Sequence, residues 1–98
     1  MTTDNKKDAG HISVYMVEDH PPIREALRHR IESTMDLGVC GECGTSEEAF
    51  RDIENLRPDI AVVDLSLSDA HGLDLIQNIN AQFPEVQVVV YSMYDEFI

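Results

Sequence analysis

The sequence predicts an α/β fold, a parallel sheet with helices on both of its faces. Three observations carry that expectation. Short, β-branched, apolar runs alternate strictly with stretches of helical periodicity along the chain. The connections between them are only a few residues long. One run, Asp59–Asp64 (D-I-A-V-V-D), is almost continuously apolar, the pattern of a strand buried on both faces of a parallel sheet.

The elements follow in order. Residues 1–10 are polar and charged and read as a disordered tail, so the folded domain is expected over 11–98. His11–Val17 alternates loosely and is the first strand. Pro21 and Pro22 stand where a first helical turn tolerates proline. Ile23, Ala26, Leu27 and Ile31 then recur at helical spacing as the inward face. Arg24, Arg28 and Arg30 fall on a solvated face, paired with Glu25 and Glu32. Val39–Cys43 is a second short strand after Gly38. Thr45-Ser46-Glu47-Glu48 matches a capping box and opens a helix carrying Ala49, Phe50, Ile53 and Leu56, which Pro58 stops. After the strand Asp59–Asp64 comes a loop over Leu65–Gly72. A helix over Leu73–Phe83 turns Ile76, Ile79 and Phe83 inward, and Pro84 breaks it. Val86–Tyr91 is the fourth strand, giving βαβαβαβ.

Composition narrows the function classes. With 98 residues the chain makes one small domain. Seven Lys+Arg against 19 Asp+Glu give a net charge of −12, which repels nucleic-acid phosphates and anionic membranes. No apolar run is long enough to span a bilayer, and the first ten residues lack the apolar core of a secretory signal. A cytoplasmic protein is expected. Cys40 and Cys43 form C-x-x-C, but no second ligand pair stands at a zinc-like spacing. In a regular strand they face opposite ways, so they are expected to be ordinary packing residues. Gly38, Gly41 and Gly44 do not form the dinucleotide fingerprint and read as turn and strand-packing glycines.

In parallel sheets ligands bind at the carboxyl ends of the strands. There the first strand ends in Glu18-Asp19, the third in Asp64 and the fourth in Tyr91-Ser92. If the first and third strands are neighbours, three carboxylates converge, and like charges that close repel unless something cancels them. Hard oxygen ligands suit Mg²⁺. A carboxylate beside Mg²⁺ can act as a nucleophile toward phosphorus, with the metal neutralising the transferring oxygens. Asp64 is the nucleophile candidate, Glu18 and Asp19 the metal ligands, and Ser92 a hydroxyl that could hydrogen-bond the new phosphoryl group. His20 borders this pocket, whereas His11, His29 and His71 read as surface residues.

These residues resemble the receiver domain of two-component response regulators. The matches are V-E-D-H-P at Val17–Pro21, R-P-D-I at Arg57–Ile60, D-L-S-L at Asp64–Leu67 with Gly72 eight residues after Asp64, and V-V-V-Y-S ending at Ser92. The D-H-P run with R-E-A-L at Arg24–Leu27 is most similar to the LuxR/NarL-type subfamily. The resemblance implies a doubly wound, flavodoxin-like sheet of order 2-1-3-4-5. It implies Asp64 as phosphoacceptor, Glu18 and Asp19 as the acidic pocket, the Ser66 backbone carbonyl as a further Mg²⁺ ligand and Ser92 as the switch hydroxyl. A sensor histidine kinase would be the phosphodonor; the chain would be a phosphoacceptor rather than a conventional enzyme. Its output would be transcription through a DNA-binding domain outside these residues.

Two departures stand out. Ser68 replaces the proline usual four residues after the phosphoacceptor. The sequence also ends at Ile98, before the family's fifth strand with its lysine and switch aromatic. A lysine there contributes about 4 kcal/mol of Coulomb attraction in a partly screened site. A receiver incomplete in this way would leave its fourth strand as an apolar edge, and dimerisation or segment swapping is expected. Tyr91, Met93 and Tyr94 then form either a signalling face or plain edge residues. Among rivals, a haloacid-dehalogenase-type phosphatase would want Asp where Ser66 stands, and a flavodoxin would want a hydroxyl-rich loop where Glu18-Asp19 stands. The remaining alternative is a degenerate receiver working as a phosphate-independent interaction module.

Overall fold

The computed structural model describes residues 11–67 and 71–92. The expected tail, Ser68, Met93 and Tyr94 lie outside them. Strands β1 (Ile12–Val17), β2 (Leu37–Cys43), β3 (Ile60–Asp64) and β4 (Gln87–Tyr91) alternate with helices α1 (Pro21–Glu32), α2 (Ser46–Leu56) and α3 (Gly72–Gln82). The strands form one parallel sheet of order β2-β1-β3-β4. This is the doubly wound arrangement expected from the alternation, with β1 and β3 adjacent at its centre. Among the described residues no helix is long and apolar enough to cross a membrane.

The two faces carry separate cores. Tyr15, Val17, Ala61 and Val63 point to the side covered by α2 and α3, where they meet Ala49, Ile53, Leu75, Ile79 and Phe83. Val14, Met16 and Val39 point to the other side, under Ile31 and Leu27 of α1. The central strands thus bury both faces, which is why β3 reads as an unbroken apolar run. At the strand entrance Asp59 accepts from both the backbone N–H and the hydroxyl of Ser13, at 2.8 and 3.2 Å, and so ties the starts of β1 and β3.

Helix boundaries have local causes. The Thr45 hydroxyl accepts from the Glu48 backbone N–H at 3.2 Å and caps α2, a contact worth about 1 kcal/mol. At the far end Arg57 adopts φ 46°, ψ 63°. Pro58 follows it and disfavours the right-handed helical region there. That left-handed conformation costs a non-glycine residue about 1–2 kcal/mol. The Arg57 side chain offsets it, with its guanidinium 4.6 Å from the centre of the Phe83 ring and 2.6 Å from Glu85.

Several expectations are corrected. The register of β1 on β2 slips between Val14 and Tyr15, which pair with Val39 and Gly41, so Cys40 is an extra, bulged residue. The bulge reverses the alternation, and Cys40 and Cys43 pack against the same core instead of facing opposite ways. Neither is in a disulfide, and burial pushes the Cys43 thiol pKa up. Gly41 is needed at this point because a Cβ there would lie 2.8 Å from the Tyr15 ring. Ala26, expected inward, is exposed, because α1 packs over β2 and leaves one side of its apolar stripe uncovered. Leu56, one of the apolar residues carried by α2, is 48% exposed at its last turn. The arginines of α1 are not simply solvated: Arg24 and Arg28 reach across to Glu42 on β2. His29 and His71 are exposed and His11 is half-buried. On β4, Val89 and Val90 remain 47% and 43% exposed, as expected of an apolar edge strand.

These packing differences set unequal costs. Ile53→Ala opens a cavity under a fully buried side chain and is expected to lower unfolding free energy by about 2–5 kcal/mol. Leu56→Ala, at a half-exposed position in the last turn of the same helix, is expected to cost less than about 1 kcal/mol. Urea denaturation of both variants checks the difference; equal costs would contradict it.

Candidate functional site

The sheet brings the acids together. Val17 and Val63 are paired in the β1–β3 register, so the residues that follow, Glu18 and Asp64, meet at the carboxyl edge. Both are fully buried. Glu18, Asp19, His20 and Asp64 each place a potential ligand atom within 4.8 Å of the others. The Glu18 N–H extends the ladder by donating to the Cys43 carbonyl at 3.0 Å. Arg24 donates to the Glu18 carbonyl at 2.9 Å, so α1 grips the end of β1.

Asp64 is held by one oxygen. Its Oδ1 accepts from the Ser66 backbone N–H at 2.9 Å and the Ser66 hydroxyl at 2.7 Å. Its Oδ2 is buried and has no hydrogen-bond partner among the described residues. A buried acceptor left in that state costs about 1–3 kcal/mol. The loop beyond Asp64 is clamped by the start of α3: a Cβ on Gly72 would sit 3.0 Å from the Leu65 carbonyl oxygen and 3.2 Å from that of Asp64. Only glycine lets the helix approach the strand end so closely.

Glu18 is engaged at both oxygens. Its Oε2 accepts from the His20 backbone N–H at 3.0 Å and lies 2.9 Å from His20 Nδ1. Its Oε1 accepts from the Tyr91 hydroxyl. Tyr91 is carried to this position by its pairing with Asp64 in the β3–β4 register. The hydrogen bond to Glu18 raises the His20 pKa. Burial, and then the same carboxylate, push that of Tyr91 well above its ordinary value, so the phenol remains a proton donor. His20 Nδ1 also lies 3.1 Å from Asp19 Oδ1. These donors offset part of the crowding of negative charge.

Glu18, Asp19 and Asp64 therefore gather as the sequence predicts. Ser66 lies beside them and uses its hydroxyl on Asp64. Ser92 is half-buried immediately after β4, on the same edge of the sheet. Sequence reasoning missed the Tyr91 contact, the Ser66 hydroxyl and the Arg24 anchor. Tyr91 is one residue from Ser92 and carries a polar tip on an apolar strand, which marks it as a residue in want of a polar partner without saying which. The donor set, all oxygen apart from one imidazole and including a buried carboxylate oxygen without a hydrogen-bond partner among the described residues, fits a hard divalent cation.

Comparisons with known proteins agree. The family model described as the response regulator receiver domain matches residues 14–97. The transcriptional regulatory protein YhcZ of Bacillus subtilis is 32% identical over 85 residues, which are 87% of this chain and 40% of that protein. The DNA-binding transcriptional activator DevR/DosR of Mycobacterium tuberculosis is 30% identical over 83 residues, 85% of this chain and 38% of that one. A LuxR-family two-component response regulator from Aurantimonas superimposes with a TM-score of 0.80 at 28% identity, over 86% of this chain and 60% of that chain. RcsB of Salmonella enterica serovar Typhimurium, solved on promoter DNA with a phosphomimetic, gives a TM-score of 0.77 at 27% identity, over 85% of this chain and 48% of that one. The chain thus spans about two-fifths of the length of these curated relatives.

The crowded acids predict an unusual stability effect. Asp64→Asn removes a buried charge and places an amide donor among acceptors. The metal-free variant is expected to be more stable by roughly 1 kcal/mol, a rise of about 4–8 °C in melting temperature. Thermal denaturation with a chelator present checks this; a lower melting temperature would contradict the crowding.

Proposed function

The chain belongs to the response regulator receiver domain family, and on that premise we propose that it accepts a phosphoryl group on Asp64 from a sensor histidine kinase. The observation that carries this reading is the buried Oδ2 of Asp64, which has no hydrogen-bond partner among the described residues, beside three further potential ligands. A nucleophile must keep one oxygen open while its orientation is fixed, and Ser66 fixes Asp64 through Oδ1 alone.

Asp19 and Asp64, with Glu18 and the Ser66 backbone carbonyl, are the residues that would hold Mg²⁺. When bound, the ion neutralises charge on the transferring phosphoryl oxygens. Asp64 Oδ2 attacks phosphorus; the new O–P bond forms as the P–N bond to the kinase histidine breaks, and the imidazole leaves with that electron pair. Ser92 hydrogen-bonds the phosphoryl group once it sits on Asp64. That bond draws the end of β4 toward β3 and shifts the population of the adjoining surface. The names of the relatives support transcription as the output, exerted through a DNA-binding segment outside these residues. The net charge of −12 fits a segment that does not itself grip DNA, and a cytoplasmic location belongs to the same reading.

Intact mass spectrometry after incubation with Mg²⁺ and acetyl phosphate tests it. One added phosphoryl group is expected on the wild-type chain and none on Asp64→Asn. Ser92→Ala should still be labelled, but more slowly. Equal labelling of Asp64→Asn would overturn the assignment of the acceptor.

A further inference from the structure

The acidic pocket treats its two buried carboxylates differently. Among the described residues Asp64 Oδ2 has no hydrogen-bond partner, whereas both oxygens of Glu18 accept hydrogen bonds. The group that closes Glu18 Oε1 is the phenol of Tyr91, which comes from the far side of Asp64 on β4. Its backbone is fixed there, since the Leu65 N–H donates to the Tyr91 carbonyl at 2.7 Å. Its ring is not enclosed. It lines an open groove of about 370 Å³ together with Ile23, Ala26, Leu27 and Arg30 of α1.

We propose that Tyr91 is a positioning residue that competes with the divalent cation for Glu18. This rests on the metal-dependent phosphoacceptor reading above. In the metal-free pocket the phenol, reaching across from β4, donates to Oε1 and fixes the orientation of the Glu18 carboxylate beside Asp64. A cation on Oε1 would draw on the same electron density as that bond and weaken it, and the groove beside α1 gives the ring space to withdraw without movement of the strand. Asp19 and Asp64 would hold the ion without giving up this bond. Glu18 would ligate the ion only at the expense of its bond to Tyr91. The cost of releasing a hydrogen bond to a charged acceptor is subtracted from the metal affinity, and the same bond stabilises the metal-free chain.

Calorimetric titration of the full chain with MgCl₂ separates the possibilities. Tyr91→Phe keeps the ring and removes the donor. It is expected to bind Mg²⁺ roughly tenfold more tightly than wild type. Its melting temperature should be lower in chelator and should rise further than that of wild type on adding Mg²⁺. In a Glu18→Gln background the same substitution should leave the Mg²⁺ affinity unchanged, because the carboxylate it competes for is gone. Equal or weaker binding by Tyr91→Phe, with wild type binding normally, would overturn the competition and leave the phosphoacceptor reading intact. A tenfold gain that persists in Glu18→Gln would overturn it as well, since the effect would not run through Glu18. A wild-type chain that binds no Mg²⁺ would overturn both readings together.

Discussion

Two carboxylates, Glu18 and Asp64, are buried side by side because they end neighbouring parallel strands. That juxtaposition is unfavourable by itself, and much of the surrounding structure answers it. His20 and Tyr91 donate to Glu18, Ser66 donates twice to Asp64, and Arg24 holds the backbone where β1 ends. The sheet supplies the rigidity. Tyr15, Val17, Ala61 and Val63 are fully buried on the side of α2 and α3, so the strand ends cannot relax apart without opening the core. Stability elsewhere in the domain thus maintains a crowded, charged edge, a common arrangement where a site must be ready before its ligand arrives.

Much of this was legible in the sequence, and the reasons are local. The continuous apolar run of β3 marks a central strand, and Thr45 with Glu48 marks a helix start that the structure places at the same residues. The acids were legible because each directly follows an apolar strand, and a parallel sheet sends all such residues to one edge. The order β2-β1-β3-β4 followed from resemblance to a family, since alternation alone does not say which strands are neighbours.

What escaped the sequence depends on relations between elements. The bulge at Cys40 is a slip of register against β1, and no feature of Val39–Cys43 alone announces it. Ala26 has helical spacing appropriate to a core residue, but its burial depends on where α1 lies across the sheet. Arg24 and Arg28 have acidic neighbours on their own helix, yet Arg24 bonds the Glu18 carbonyl and both reach Glu42 on β2, while only Arg28 also meets Glu25. Tyr91 belongs to the same class. Its role comes from a partner 73 positions away that only the folded sheet brings within reach.

The central claim is that the strand-end acids form a divalent cation site at the place where phosphoryl chemistry is proposed. Its most direct test is amide NMR with substoichiometric Mn²⁺, a paramagnetic ion with the same preference for oxygen ligands as Mg²⁺. Broadening is expected first at residues 18–20, 64–66 and 91–92, and excess Mg²⁺ should reverse it. Broadening that begins elsewhere on this acidic surface, or that Mg²⁺ does not reverse, would contradict the account.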